Sequence, residues 1–238
     1  VLRRVLPCFA FVALATATAD AQAAEPSDHQ YQTWLGAFAH GSLYKSLWFW
    51  SDVQLRLYDN FEPTAVLVRP GLSWKAPMPL WLTLGYAWTP SWPRPEGDPK
   101  FTDEHLIWQQ LLWAPKNDET GVVIMVRPRL EQRWRPGSGD DVGHRFRFFW
   151  RGQVPITKDE RFIFALWDEW LFFLNDTDWG QRTGLDQNRV FIGIGWQAKP
   201  KIARVEVGYF NVWAPRPGPD PVSHILAINT FFGWPAPI

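Results

Sequence analysis

Arginine and glutamate carry the densest chemical pattern in this 238-residue chain. Arg127, Arg129, Glu131 and Arg133 alternate along one segment, and Arg145 and Arg147 along the next. Residues two apart in a β-strand share a face, so each set presents its charges to one side. Arg56, Arg189 and Glu206 hold comparable mid-strand positions elsewhere. Clustered guanidinium groups bind carboxylate or phosphate through paired N–H donors. Both signs at one depth suit an enclosed network, because buried charges must be paired. Two uses fit the pattern. One is an interior that binds or passes small anionic solutes. The other is a structural plug of ion pairs in a small barrel, whose interior is largely filled by side chains.

His40-Gly41-Ser42 is a second candidate, since a His and a Ser two apart share a strand face. A hydrolase acting on membrane lipid needs that pair in contact, plus a third residue to orient the base. Asp52 is the nearby carboxylate available for that role. The alternative is a turn, where Gly and Ser are expected. His29, His40, His105, His144 and His224 are scattered without metal-ligand spacing. The acidic loop positions Asp140, Asp141, Asp176 and Asp178 read as solvated charge rather than as a cation site. No phosphate-cradling glycine loop or nucleotide fingerprint is present, so no cofactor is expected. No catalytic residue is assigned.

The first 23 residues have the order of a secretory signal peptide. Arg3 and Arg4 form a basic head, Val5 to about Ala19 an apolar run, and Ala21-Gln22-Ala23 a small-x-small cleavage pattern. Cleavage would remove Cys8, the single cysteine, leaving a chain without disulfide or thiol chemistry. It would also change 24 basic and 24 acidic residues to 22 and 23, through loss of Arg3, Arg4 and Asp20. Such neutrality argues against nucleic acid as a partner. Residues 24–46 are expected to form an N-terminal segment with one strand, and 47–238 the main domain.

The remainder reads as strands of period two. Val53, Leu55 and Leu57 alternate with Asp52, Gln54 and Arg56, and Leu82, Leu84 and Tyr86 with Trp81, Thr83 and Gly85. Phe146, Phe148 and Trp150 alternate with arginines, and Val190, Ile192 and Ile194 with Arg189, Phe191 and Gly193. Asp168 and Glu169 are adjacent and must point to opposite faces, so one of them needs a strand end, a bulge or a protein-covered site. Short connections (Lys75–Pro79, Ala114–Thr120, Pro155–Glu160, Ala198–Lys201) alternate with long Pro-, Gly- and Asp-rich ones (Pro90–Lys100, Arg135–Val142, Asn175–Gly184, Ala214–Pro221). That alternation is the habit of outer-membrane barrels. The expected fold is an all-β, antiparallel up-and-down barrel of about ten strands from Leu47 to Phe232, with both ends at the short turns. Gln30–His40 is an eleventh strand in excess. It belongs in the periplasm or lumen, or else two strands have been merged and the count is twelve.

A soluble barrel is apolar inside and a membrane barrel apolar outside. Lysines lie in connections or at strand tips, whereas mid-strand charges are mainly Arg and Glu. Seventeen tryptophans are present. Trp74, Trp81, Trp113, Trp150 and Trp196 gather toward the short turns, and Trp88, Trp134 and Trp213 toward the long loops, like two aromatic girdles. These features favour a barrel in the cell outer membrane, in contact with its lipid and lipopolysaccharide. A soluble periplasmic barrel binding lipid or sugar is the alternative that abundant tryptophan suggests.

Several segments then resemble a known family. They are Trp50–Arg56 (WSDVQLR), Glu104–Gln110 (EHLIWQQ), Arg127–Arg133 (RPRLEQR), Asp186–Gly195 (DQNRVFIGIG) and Val207–Asn211 (VGYFN). In that order they resemble the bacterial family filed as domain of unknown function 2490, over nearly the whole mature chain. The resemblance implies a secreted, outer-membrane-type β protein and supplies no activity.

Overall fold

A computed structural model describes residues 28–58, 61–93, 100–199, 203–216 and 220–233. The expected signal peptide and its cleavage point lie outside these residues. Eleven strands follow one another: β1 (Asp28–Tyr44), β2 (Leu47–Tyr58), β3 (Glu62–Lys75), β4 (Leu80–Ser91), β5 (Thr102–Trp113), β6 (Val123–Trp134), β7 (Gly143–Pro155), β8 (Phe162–Phe173), β9 (Gly184–Lys199), β10 (Ala203–Trp213) and β11 (Pro221–Phe232). Each pairs antiparallel with its chain neighbours, and β1 pairs with β11 to close the barrel. A closed barrel leaves no sheet edge, which is the condition for a β protein to cross lipid. The described residues contain no helix long and apolar enough to cross a membrane.

The closure differs from the expected one. β1 enters the wall between β2 and β11, from Asp28↔Pro221 to Ala39↔Phe232, and runs parallel to β11. The count is therefore eleven, between the ten and twelve weighed from the sequence. Its alternation explains why it fits a wall. Trp34, Gly36, Phe38 and His40 face inward, and the outward face carries Leu35, Ala37 and Ala39. β2 begins and β11 ends on the short-turn side, as expected. β1 begins on the long-loop side beside the start of β11, and an odd strand there makes one parallel pair unavoidable.

The faces are those of a membrane barrel. Leu72, Leu82, Leu84, Ile124, Leu130, Ile192, Ile194 and Leu226 are exposed on the outside, with Trp74, Trp113, Trp150 and Trp196 near the short turns and Tyr31, Tyr86, Trp88 and Tyr209 near the long loops. Trp81 departs from the expected girdle, because its parity turns it inward and buries it. The interior is packed. Trp108 is fully buried over a floor of two paired glycines, Gly71 and Gly85. A Cβ on Gly85 would stand 2.4 Å from the Trp108 ring and 2.5 Å from the Pro70 carbonyl oxygen, so the ring lies flat against the wall only where side chains are missing.

Candidate functional site: an ion-paired lumen

The lumen is built from the inward positions of nearly every strand. β6 and β7 pair Glu131 with Arg145 and Arg129 with Arg147, and β7 and β8 set Phe149 opposite Glu169. Fully buried Glu131 accepts from Arg145 Nε at 2.7 Å and from Arg147 Nη1 at 2.8 Å. Glu169 accepts two bonds from Arg147, at 3.1 and 2.7 Å, and one from Arg127 Nη2 at 3.1 Å. Arg189 Nη1 is 3.6 Å from the same carboxylate. Arg147 thus bridges two buried glutamates, the arrangement its rigid donor fork favours.

Smaller groups extend this centre toward both ends. Glu104 accepts from Arg133 at 3.1 and 2.7 Å and from Arg135 at 2.8 Å. Toward the short turns Glu206 pairs with Arg151 and Arg204. Arg129 donates to Gln110 at 3.0 and 2.6 Å and lies over the Trp108 ring. Asp52 lies 3.6 Å from Arg69. Arg56 stacks over the Trp34 ring at 4.1 Å.

Every arginine and glutamate singled out from the sequence for this network points into the lumen. Arg133 turns to Glu104 and Gln181 instead of its strand-mate Glu131. Sequence reasoning omitted Arg69, Arg151, Arg204, Asp52, Glu104 and Glu169 from the site. Their signal was parity with inward neighbours: Arg151 follows Arg145 and Arg147 at even spacing. Glu169 was obscured by Asp168 beside it. In the barrel Glu169 faces inward, while Asp168 faces outward and accepts from Trp170 Nε1 at 3.0 Å and Asn188 Nδ2 at 2.6 Å. A register shift at Leu171/Phe172 lies nearby.

Described residues pack against one another at both ends of the lumen. The loops 135–142 and 174–183 interlock on the long-loop side. Trp179 Nε1 donates to the Asp141 carbonyl at 2.8 Å, and Asp178 accepts the backbone N–H groups of Asp140 and Asp141 at 2.9 and 3.3 Å. Those backbone bonds hold the Asp178 carboxyl below its ordinary pKa. Arg133 and Arg135 lie beneath the Trp179 ring. At the short-turn end Trp48, Trp50 and Trp81 surround a fully buried His40, with ring centroids 5.2, 5.4 and 6.1 Å away. Between these two groups of contacts a cavity of about 100 Å³ lies in the lumen.

The His40–Ser42–Asp52 constellation is not assembled. His40 is buried with both ring nitrogens unpartnered, Ser42 is exposed, and the Asp52 oxygens take Trp50 Nε1 at 3.2 Å and Gln54 at 3.4 Å. Among the described residues no three His, Cys, Asp or Glu side chains are placed to hold a metal.

The family model described as "Protein of unknown function (DUF2490)" matches residues 31–223. An uncharacterized protein of Methylorubrum extorquens is 33% identical over 207 residues, covering 84% of this chain and 86% of its own length. LpxR from Salmonella typhimurium, a solved structure, aligns with a TM-score of 0.45 at 12% identity, covering 77% of this chain and 83% of its own.

Proposed function

The chain belongs to the DUF2490 family of proteins of unknown function, and from its barrel we propose a non-catalytic outer-membrane protein whose lumen holds small anionic solutes rather than passing them freely. One observation carries the reading. Among the described residues the lumen brings ten arginines (56, 69, 127, 129, 133, 145, 147, 151, 189, 204) against six carboxylates (Asp52, Glu104, Glu131, Glu169, Asp186, Glu206). Buried charge of one sign requires compensation, and small anions of the medium supply it. The packing of described residues at both ends favours retention over conduction. The apolar outer band and its two girdles favour contact with outer-membrane lipid, and the long loops contact with lipopolysaccharide.

The test has two parts. Cell fractionation followed by a gel of unboiled and boiled protein should place a heat-modifiable band in the outer membrane. The temperature at which the compact band is lost should then be higher in sodium acetate than in sodium gluconate at equal ionic strength. A ligand that binds only the folded barrel stabilises it by mass action, and gluconate is too large for the cavity. Recovery in the soluble periplasm rejects the membrane assignment, and identical melting in the two salts rejects anion binding.

A further inference from the structure

The closing seam brings together two histidines that lie 195 residues apart in the chain. β1 and β11 pair in parallel, with His29 opposite Val222 and Tyr31 opposite His224. His29 and His224 are therefore diagonal neighbours on the outer face near the long loops. His29 Nδ1 is 2.8 Å from His224 Nε2, and the rings stack with centroids 5.1 Å apart. His29 is exposed and His224 half-buried, so the pair can be reached from outside the barrel. His224 is also held from behind. Its Nδ1 is 2.6 Å from the Tyr209 hydroxyl, which accepts from Asn211 Nδ2 at 3.2 Å, and Tyr31 stacks on its ring.

Two imidazole nitrogens at that separation repel if both are bare or both protonated. One proton between them satisfies the pair, and so does one metal ion, which neutral imidazole binds through the same lone pairs. The other nitrogen of a ligating histidine ordinarily donates to a nearby oxygen, which fixes ring and tautomer. The Tyr209 hydroxyl stands at that place on His224. The separation also selects among metals. With metal–nitrogen bonds of about 2.0–2.1 Å, adjacent ligands are about 2.9 Å apart at a right angle and about 3.3 Å apart in a tetrahedron. The observed 2.8 Å is close to the first. Right-angled nitrogen sites are those of copper(II) and nickel(II), whereas zinc prefers the tetrahedron. Exposed rings can turn the small amount needed for both lone pairs to meet on one ion.

We propose that His29 and His224 bind a copper(II) or nickel(II) ion that clips β1 to β11, with water filling the remaining positions. A parallel ladder is slightly less stable per residue than an antiparallel one, and the β1–β11 ladder is the one that closes the barrel in parallel. A metal bound only by the folded seam stabilises it by mass action. The full barrel, purified without an affinity tag in detergent micelles, is dialysed against copper(II), nickel(II), zinc(II) or calcium. Bound metal and the temperature at which the compact gel band is lost are then measured. Copper should be retained one per barrel, raise that temperature, and give an electron paramagnetic resonance spectrum with coupling to two nitrogens. His29→Ala and His224→Ala should each lower copper affinity more than about tenfold, since losing even the partner of a ligand costs about that, and should abolish the thermal shift. His105, whose nitrogens face Tyr86 and Asp103, is the control, and H105A should leave both readouts unchanged. Nickel should bind tighter than zinc, and calcium should not bind. No copper on the wild-type barrel, or copper held equally by H29A and H224A, overturns the site, and loss in H105A alone places it elsewhere. Zinc binding tighter than nickel overturns the right-angled geometry. Copper bound by the pair without a thermal shift overturns the clip.

Discussion

Replacing Glu131 by Gln tests whether the lumen is a dry ion-paired plug or a water-filled channel. Glu131 is fully buried and receives Arg145 at 2.7 Å and Arg147 at 2.8 Å, with Arg129 3.8 Å away. Glutamine keeps the shape, removes the charge, and turns an N–H donor toward at least one guanidinium. Removing one partner of a buried pair costs about 3–5 kcal/mol, whereas a solvated pair contributes about 0.2–1 kcal/mol. Arg147 retains Glu169, so most of the loss falls on Arg145, whose other carboxylate, Asp186, is 3.4 Å away. The expected destabilisation therefore lies within the buried range. Urea unfolding from micelles, read by tryptophan fluorescence and by loss of the gel shift, measures it. The double variant Glu131→Leu with Arg145→Met should recover much of the loss, because replacing both members of a buried pair by apolar side chains is often close to neutral. A loss of about 1 kcal/mol or less in E131Q, with no recovery in the double variant, would refute the plug and mean that water screens these charges.

Gly85→Ala should destabilise the barrel by about 1–3 kcal/mol, the usual cost of overpacking, because its Cβ would meet both Trp108 and the Pro70 carbonyl; the same urea titration measures it. The contact between loops 135–142 and 174–183 should depend on acid pH. The folded-state pKa of Asp178 is depressed by backbone N–H bonds, so its contribution is fully present above the unfolded value of about 3.9 and is lost as pH falls through the lower folded value. Hydrogen exchange at the Asp140 and Asp141 amides should stay slow at pH 5 and accelerate below about pH 4 relative to the intrinsic rate; unchanged protection at pH 3 would contradict it.

Strands were legible where one face was uniformly apolar. β9 and β10 show Val190, Ile192, Ile194 and Val205, Val207 outside, and the lipid-facing side of a membrane barrel is the side that composition exposes most clearly. Partners inside the lumen were less legible. Parity tells that Arg133 and Glu131 face inward together, but the carboxylate that Arg133 takes is Glu104, on a neighbouring strand and displaced along the barrel axis by register. Register follows from the ladder, as in Leu106↔Arg133, and no local pattern encodes it. Trp81 shows the same limit, since a tryptophan near a strand end suits a girdle and a luminal cover equally, and parity alone separates them. His40 and Ser42 share a face, the ladder running without a shift from His40↔Trp50 to Ser42↔Trp48, yet His40 is buried among tryptophans whereas Ser42, one step nearer the rim, is exposed.

The strand hardest to place from sequence is the one that gives the cavity its two-sided character. β1 contributes Trp34, Gly36 and Phe38 to the cavity wall, and its parallel partner β11 adds Ala227, Asn229 and Phe231. These seam residues carry no formal charge, whereas β6 and β7 opposite supply Arg127, Arg147 and Arg151, and β9 supplies Arg189. In a ten-stranded closure β2 would meet β11 directly, and the aromatic side would lose Trp34 and Phe38. Arg56 would also lose the ring that it stacks on. An anion in such a barrel would meet guanidinium on most sides. The odd strand is thus tied to the chemistry of the lumen: it closes the wall in a parallel ladder and, by the residues it turns inward, converts a cationic plug into a cavity with an apolar side.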